Sequence, residues 1–213
     1  MNLYALRLKL ISEESRYDAL KRVLDTISDV IKEASNNIDR AGKFQNEGHR
    51  ESVVDEETSF IEELLGAAFV VCQSYITSIT SGFEKLHQLA KKNNLILTVT
   101  NGEKKILLKT GSANVAKSQY TEIQIIDEFA NYFKHCDQWP LDWSKVNNRY
   151  KHTVEVVQSV GAQSGSNGNM RTGVEALGCP MYNNLDSLLD KITQWRDELL
   201  KQYQAELKHL GVL

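Results

Sequence analysis

Apolar residues recur at alternating spacings of three and four over two long stretches of this chain, which is the rhythm of amphipathic α-helices. The first stretch predicts a helix over residues 13–39, with the apolar positions Tyr17, Leu20, Leu24, Ile27, Ile31, Ala34 and Ile38. The second predicts a helix over residues 54–92, with the positions Ile61, Leu65, Ala68, Cys72, Tyr75, Ile79 and Gly82. The second helix also has apolar residues on its other faces, so we expect it at the centre of the fold.

Three further helices are predicted, over residues 118–135, 144–160 and 183–210. The last has an inner face made of Leu185, Leu188, Ile192, Trp195, Leu199 and Tyr203. Proline, which interrupts helices, occurs only at positions 140 and 180 of the 213 residues. We therefore predict an all-α, up-down bundle of about five helices that forms a single domain over residues 1–213.

Two segments depart from the helical rhythm. Residues 95–109 place Asn101-Gly102 between two β-prone runs, which predicts a small β-hairpin inserted into the helical body. This hairpin either packs on the bundle or a partner, or is a plain connector between helices. Residues 161–180 are rich in glycine and show little periodicity, so we expect a flexible loop of the kind that often binds partners.

The bulk composition narrows the classes of function. The net charge of −3 gives no global basic field, which disfavours a protein that coats duplex DNA but is compatible with a small basic site. The three cysteines are scattered without a C-x-x-C motif, which favours a reduced, cytoplasmic compartment. No run of about 18 apolar residues is apparent, so we expect no membrane span.

A candidate site lies on the third predicted helix. Glu128, Asn131 and His135 are spaced by three and four residues and so share one helical face. The opposite face is apolar and is made of Ile123, Ile126, Ala130 and Phe133. The polar trio could be a functional site or a solvated surface, and a histidine near a helix C-terminus is favoured by the helix dipole alone.

Each member of the trio has a plausible chemical role. The imidazole of His135 can transfer protons near neutral pH. Asn131 could orient a substrate or fix the histidine tautomer, and Glu128 could hydrogen-bond the imidazole. Lys134, beside this face, could contact a phosphate. Downstream, Trp139 and Trp143 could stack on a base, although tryptophans more often anchor a turn against the core.

The sequence offers no metal or cofactor motif. The five histidines show neither H-E-x-x-H nor comparable ligand spacing, and no glycine-rich dinucleotide fingerprint is present. We therefore expect no cofactor and no metal site.

The segment Ala130-Asn131-Tyr132-Phe133-Lys134-His135 resembles the motif of the HEPN superfamily, in which an arginine and a polar residue are followed, after a few residues, by a histidine. Asn131 matches the polar position and His135 the histidine, whereas Ala130 stands where the arginine belongs. The resemblance implies a helical, homodimeric protein directed at RNA, as in toxin–antitoxin or defence systems. Family members with the intact motif cleave RNA without a metal at the dimer cleft.

The loss of the arginine leaves catalysis open. Either Lys134, Arg149 or Arg171 substitutes for it, or the protein is a non-catalytic RNA-binding relative. In the first case the resemblance assigns catalysis to His135 and Asn131, and substrate binding to Lys134, Glu128 and Arg149. The alternative function is a non-enzymatic helical module that binds a protein partner through the hairpin or the glycine-rich loop.

Overall fold

A computed structural model of the chain describes residues 2–13, 16–116, 118–179 and 184–213. The α-helices are α1 (Leu3–Ser12), α2 (Tyr17–Ala41), α3 (Glu47–Lys92), α4 (Lys104–Leu107), α5 (Glu122–His135), α6 (Lys151–Ser159), α7 (Asn169–Ala176) and α8 (Asp186–His209). Short 3₁₀ turns cover Cys136–Gln138, Trp143–Lys145 and Asn148–Tyr150. The described part of the chain is all-helical, as the spacing of its apolar residues indicates.

Helix α3 is the centre of the fold, as predicted. It contacts α1, α2, α4, α5, α7 and α8 along its 46 residues. The predicted core positions Ile61, Leu65, Ala68, Cys72 and Ile79 are all at most 5% exposed. Burial also raises the pKa of the Cys72 thiol to about 12. Because partners surround α3, its apolar residues are needed on several faces, which explains why they extend beyond one stripe.

The predicted β-hairpin at residues 95–109 is wrong. Within the described residues no strand is formed, and the one bridge, between Asn114 and Thr121, is isolated. Residues 95–103, which we call the strap, cross α3 and α8 without regular structure. The amides of Thr98 and Val99 donate to the Glu206 carboxylate of α8 rather than to a second strand.

The Asn-Gly signal has a different use in this fold. The side chain of Asn101 accepts a hydrogen bond from the amide of Glu103 at 3.0 Å, which is an Asx turn leading into α4. Gly102 has a φ of +82°, so it provides the left-handed turn that the hairpin signal implied. The second β-prone run then becomes helix because Leu107 is buried against the bundle.

The glycine-rich segment is also more ordered than predicted. Helix α7 lies within it, and Gly173 packs so closely on α5 that an added Cβ would lie 2.6 Å from the ring of Phe129. The buried side chain of Asn169 donates to the carbonyl of Gln163 and to the hydroxyl of Tyr132. The end of this predicted loop, residue 180, lies outside the described residues.

Helix boundaries differ from the prediction at several ends. Helix α1 was not predicted, although Tyr4, Leu8 and Ile11 are buried at the helical spacings of four and three. Helix α5 begins only after Thr121, whose side chain forms a capping box with Gln124. Helix α6 begins at residue 151 because residues 143–150 are taken up by two 3₁₀ turns. Residues 14, 15 and 183 of the predicted helices lie outside the described residues.

Helix α3 is the one described helix that is long and apolar enough to cross a membrane by length and composition. Half of that apolar window is buried inside the protein. The sequence prediction that no such segment exists therefore missed it. The buried half of that window already has protein partners in the neighbouring helices.

Candidate functional site

Helix α5 is held against α3 by its apolar face. A Cβ on Gly66 of α3 would lie 2.0 Å from the ring of Phe133, so only glycine lets α5 approach this closely. The rings of Phe129 and Phe69 stack at 5.3 Å, and Ala130 is fully buried. This docking directs the opposite face of α5 outwards. The three polar residues on it, Glu128, Asn131 and His135, are each half-buried.

Gln73 of α3 connects the polar residues of α5. Its side-chain amide donates to Oδ1 of Asn131 and to the backbone carbonyl of Asp127, both at 2.9 Å. Its oxygen accepts from Nζ of Lys134 at 2.6 Å. Asn131 in turn donates to Oε2 of Glu128 at 3.0 Å. Asn131 and Lys134 are thus positioned by a residue of the central helix.

Glu128 faces α6 rather than His135. Its Oε2 accepts from the hydroxyl of Thr153 at 2.7 Å, and its Oε1 lies 3.7 Å from Nε2 of His152. The carboxylate is 13% exposed, whereas the side chain of His152 is 44% exposed. The described contacts of the Glu128 carboxylate are with Asn131, Thr153 and His152, so the hydrogen bond predicted between Glu128 and the imidazole of His135 is not formed.

His135 lies at the end of α5 without a polar partner on one side of its ring. Its Nδ1 is buried and has no hydrogen-bond partner among the described residues. Asn131 therefore does not fix its tautomer, contrary to one of the roles predicted for that amide. The imidazole instead faces the ring of Tyr150 at a centroid distance of 5.3 Å and an angle of 37°.

Arg149 joins the site through the same tyrosine. Its guanidinium carbon lies 4.3 Å from the centroid of the Tyr150 ring. Gln138 holds both residues, since its Oε1 accepts from the Tyr150 hydroxyl at 2.7 Å and from Arg149 at 3.0 Å. Of the arginines considered as substitutes for the missing motif arginine, Arg149 is the one associated with His135. Arg171 is bound at 2.7 Å to Glu62 of α3.

The tryptophans form a buried aromatic cluster beside the site. Trp139 and Trp143 are 9% and 7% exposed, and their rings lie 5.6 Å apart. Trp139 also contacts Tyr132 at 5.3 Å and Tyr150 at 5.7 Å. The interpretation that they anchor a turn against the core is confirmed, because their faces are occupied by protein rings. Trp139 thus connects the cluster to Tyr150.

Sequence reasoning missed the residues that link the helices. Gln73 is a polar residue inside the most apolar run of α3, which is a usable signal because a buried amide needs hydrogen-bond partners. Tyr150 lies within the helix predicted over residues 144–160, where an aromatic residue on the apolar face gives no separate signal. His152 and Thr153 carry no local signal, since their contact with Glu128 depends on how α6 packs on α5.

In the ranges that the structure describes, no group of three or more histidines, cysteines, aspartates or glutamates comes together in a way that could hold a metal ion. No protein-family model matches the chain, and no curated protein or solved structure shows significant similarity to it. Arguments about function therefore depend on the geometry and charge of the site.

Proposed function

We propose that this protein is a cytoplasmic, homodimeric, RNA-directed protein of the HEPN-like kind, which binds single-stranded RNA at the polar face of α5 and α6. Binding is the primary activity, and any cleavage depends on His135. The setting that the motif suggests is a toxin–antitoxin or defence system.

The contact of the Tyr150 ring with both Arg149 and His135 is the observation that carries the proposal. It associates a guanidinium with the motif histidine even though Ala130 is buried and provides no charge. Guanidinium groups bind phosphate through paired hydrogen bonds, and lysine acts as a point charge for the same ligand. Arg149 and the exposed Lys134 therefore provide two phosphate contacts near the imidazole.

The same geometry favours binding over cleavage. A general acid or base needs an imidazole in a defined tautomer and orientation. Nδ1 of His135 has no partner in the described residues, and Asn131 and Glu128 are hydrogen-bonded to other groups. The catalytic roles predicted for His135 and Asn131 thus lack support from their contacts, whereas substrate binding by Lys134 and Arg149 has it.

A binding assay tests the proposal directly. Fluorescence anisotropy with a labelled single-stranded RNA should show that Arg149→Gln weakens binding about tenfold, the effect of losing one charge-assisted hydrogen bond. Arg22→Gln is the matched control because Arg22 is an exposed arginine on α2. A wild-type dissociation constant weaker than about 10⁻⁴ M, the weak limit of non-specific binding, would contradict an RNA-directed function.

Cleavage is tested on the same RNA in the presence of EDTA. If the protein cleaves, His135→Ala should lower the rate by about 100-fold or more, the scale of a general acid or base. Cleavage that His135→Ala leaves unchanged would exclude this site. Analytical ultracentrifugation tests the dimer, and a chain that stays monomeric at high concentration would exclude it.

The second candidate function is a protein-interaction module, and the strap favours it. Ile96 of the strap is 80% exposed, although the strap itself is tied to α8 by Glu206. An exposed isoleucine on a fixed segment is a candidate anchor for a partner. If Ile96→Asp abolished binding to a partner and wild type bound no RNA, this function would replace the first.

A further inference from the structure

A groove runs between α1 and α3 on a face that the α5 site does not include. Its volume is about 540 Å³. The groove is lined by positive charges and hydroxyl groups, among them Arg7, Arg16, Lys85, Ser74, Thr77 and Ser81. Among the described residues that line it, the one carboxylate, that of Glu13, pairs at 3.7 Å with Lys9. A chain of net charge −3 therefore has a local surface with an excess of positive charge.

Arg7 and Lys85 lie together at one end of the groove. Helix α1 runs antiparallel to α3, because Ile11 packs on Gly82 while the hydroxyl of Tyr4 accepts a hydrogen bond from Asn93. Arg7 therefore lies towards Lys85, with which it lines a second, smaller cavity. Helix α2 continues antiparallel to α3, as the 2.7 Å hydrogen bond between Asn37 and Glu57 shows.

Arg16, which precedes α2, also lines the groove. From Ser74 to Lys85 the eleven residues of α3 span about 16 Å at 1.5 Å per residue. The groove is thus elongated, with cations and hydroxyl groups along its wall. Neither Arg7 nor Lys85 pairs with a carboxylate in the part of the chain that the structure describes.

This arrangement matches an extended polyanion better than a compact ligand. Arginine and lysine bind phosphate oxygens, and serine and threonine hydroxyls bind both phosphate and sugar oxygens. The 2′-hydroxyl of RNA adds a further partner for such hydroxyls. Among the residues that the structure describes, no aromatic side chain lines the groove, so its contacts are suited to a backbone rather than to stacked bases.

The groove also leads towards the α5 site. Ser74 directly follows Gln73, the residue that holds Lys134 and Asn131. Consecutive residues of a helix point about 100° apart, so the groove and the α5 site occupy neighbouring faces of one turn of α3. A strand that leaves the groove at Ser74 would next meet Lys134.

We propose that the α1–α3 groove is a track for the sugar–phosphate backbone of single-stranded RNA and delivers the strand past Lys134 to the α5 site. This inference rests on the proposed function and assigns the RNA a second, separate binding surface. It involves no chemical step in the groove.

The experiment measures anisotropy of a labelled oligouridylate of about twelve nucleotides, within the usual range of single-strand site sizes, over a series of salt concentrations. The variant is the double substitution Arg7→Gln and Lys85→Gln. We expect about tenfold weaker binding and a salt slope that is smaller by about 1.4, or about 0.7 for each lost phosphate contact. The matched control is Arg22→Gln with Lys32→Gln, two exposed cations of α2, which should leave both quantities unchanged.

The outcomes separate this inference from the proposed function. If Arg149→Gln weakens binding and the groove variant does not, the track is overturned while the proposed function stands. If wild type binds no RNA, both are overturned. If uridine monophosphate saturates the groove of wild type and competes fully with the oligonucleotide, the groove is a compact anion site and the track is overturned. Far-ultraviolet circular dichroism of every variant checks that the helices are retained.

Discussion

Two polar clusters tie the central helix α3 to its neighbours, and they differ in how completely protein surrounds them. The strap cluster consists of His87, Thr100 and Tyr203 and joins α3 to the strap and α8. The α5-face cluster consists of Gln73, Glu128 and Asn131 and joins α3 to α5 and α6. In the first, Tyr203 and Thr100 are buried and His87 is half-buried, whereas the second leads to exposed side chains such as that of Lys134.

In the strap cluster the three side chains hydrogen-bond to one another. The hydroxyl of Tyr203 lies 2.6 Å from both Nε2 of His87 and the hydroxyl of Thr100. The Thr100 oxygen also accepts from the amide of Gly102 at 3.0 Å. Gly102 covers the imidazole so closely that an added Cβ would lie 2.8 Å from it. Burial raises the pKa of Tyr203 to about 12 and lowers the pKa of His87.

In the α5-face cluster the network leads to exposed side chains. Lys134 is exposed beyond Gln73, and the His152 side chain is 44% exposed beyond Glu128. The comparison teaches that a half-buried polar network in this fold has one of two uses. A network whose side chains bond mainly to one another contributes to stability. A network that leads to exposed side chains is suited to binding a ligand.

The largest effect that tests this distinction comes from Tyr203→Phe. The substitution removes a hydroxyl and leaves His87 and Thr100 without their shared partner, so the free energy of unfolding should fall by about 2 kcal/mol. Urea unfolding followed by circular dichroism measures it. RNA binding should be unchanged, because this cluster has no accessible charge. A stable variant with impaired RNA binding would contradict the division.

Sequence patterns predicted the core of this fold far better than its connections. The apolar spacing in α3 and α8 identified buried positions such as Leu65 and Trp195, because burial on a helix is periodic. The hairpin failed because Thr98 and Val99 bond to Glu206, which is more than 100 residues away. An Asn-Gly pair specifies a turn, but the partner of the following segment is decided by tertiary contacts.

Only part of the candidate site could be predicted from the sequence, for the same reason. The shared face of Glu128, Asn131 and His135 follows from helical geometry and is confirmed as half-buried. The bond between Asn131 and Glu128 follows from that spacing, but Gln73 of α3 and Thr153 of α6, which hold them from outside, do not. The association of Arg149 with His135 depends on Tyr150. Tyr150 lies in a 3₁₀ turn, whereas the apolar spacing predicted a regular helix there.

A smaller effect is expected in the α5-face cluster from Asn131→Ala. Asn131 is half-buried, and its loss leaves Gln73 with its second acceptor, the Asp127 carbonyl. The free energy of unfolding should therefore fall by about 1 kcal/mol or less. RNA binding should weaken about fivefold, since Gln73 and Lys134 lose the neighbour that orders them. A loss of stability equal to that of Tyr203→Phe, with RNA binding intact, would show that both clusters are structural.

The smallest expected effect is the pH dependence of the strap cluster. Burial lowers the pKa of His87 in the folded protein, and Glu206 opposes this shift without reversing it. The unfolded chain, with an ordinary histidine pKa of about 6.5, then binds protons more readily than the folded protein. His87 therefore costs no stability above about pH 6.5, and the free energy of unfolding falls as the pH drops below that value.

Urea unfolding at about pH 7.5 and about pH 5.5, on either side of the ordinary histidine pKa, measures this contribution. Wild type should lose more stability between the two values than His87→Gln, because glutamine does not titrate. His209→Gln is the matched control, since His209 is exposed at the end of α8 and should leave the pH dependence unchanged. An equal loss in wild type and His87→Gln would mean that His87 has the same pKa in the folded protein as in the unfolded chain. The strap cluster would then be as accessible to solvent as the α5-face cluster, and the proposed distinction between the two clusters would be wrong.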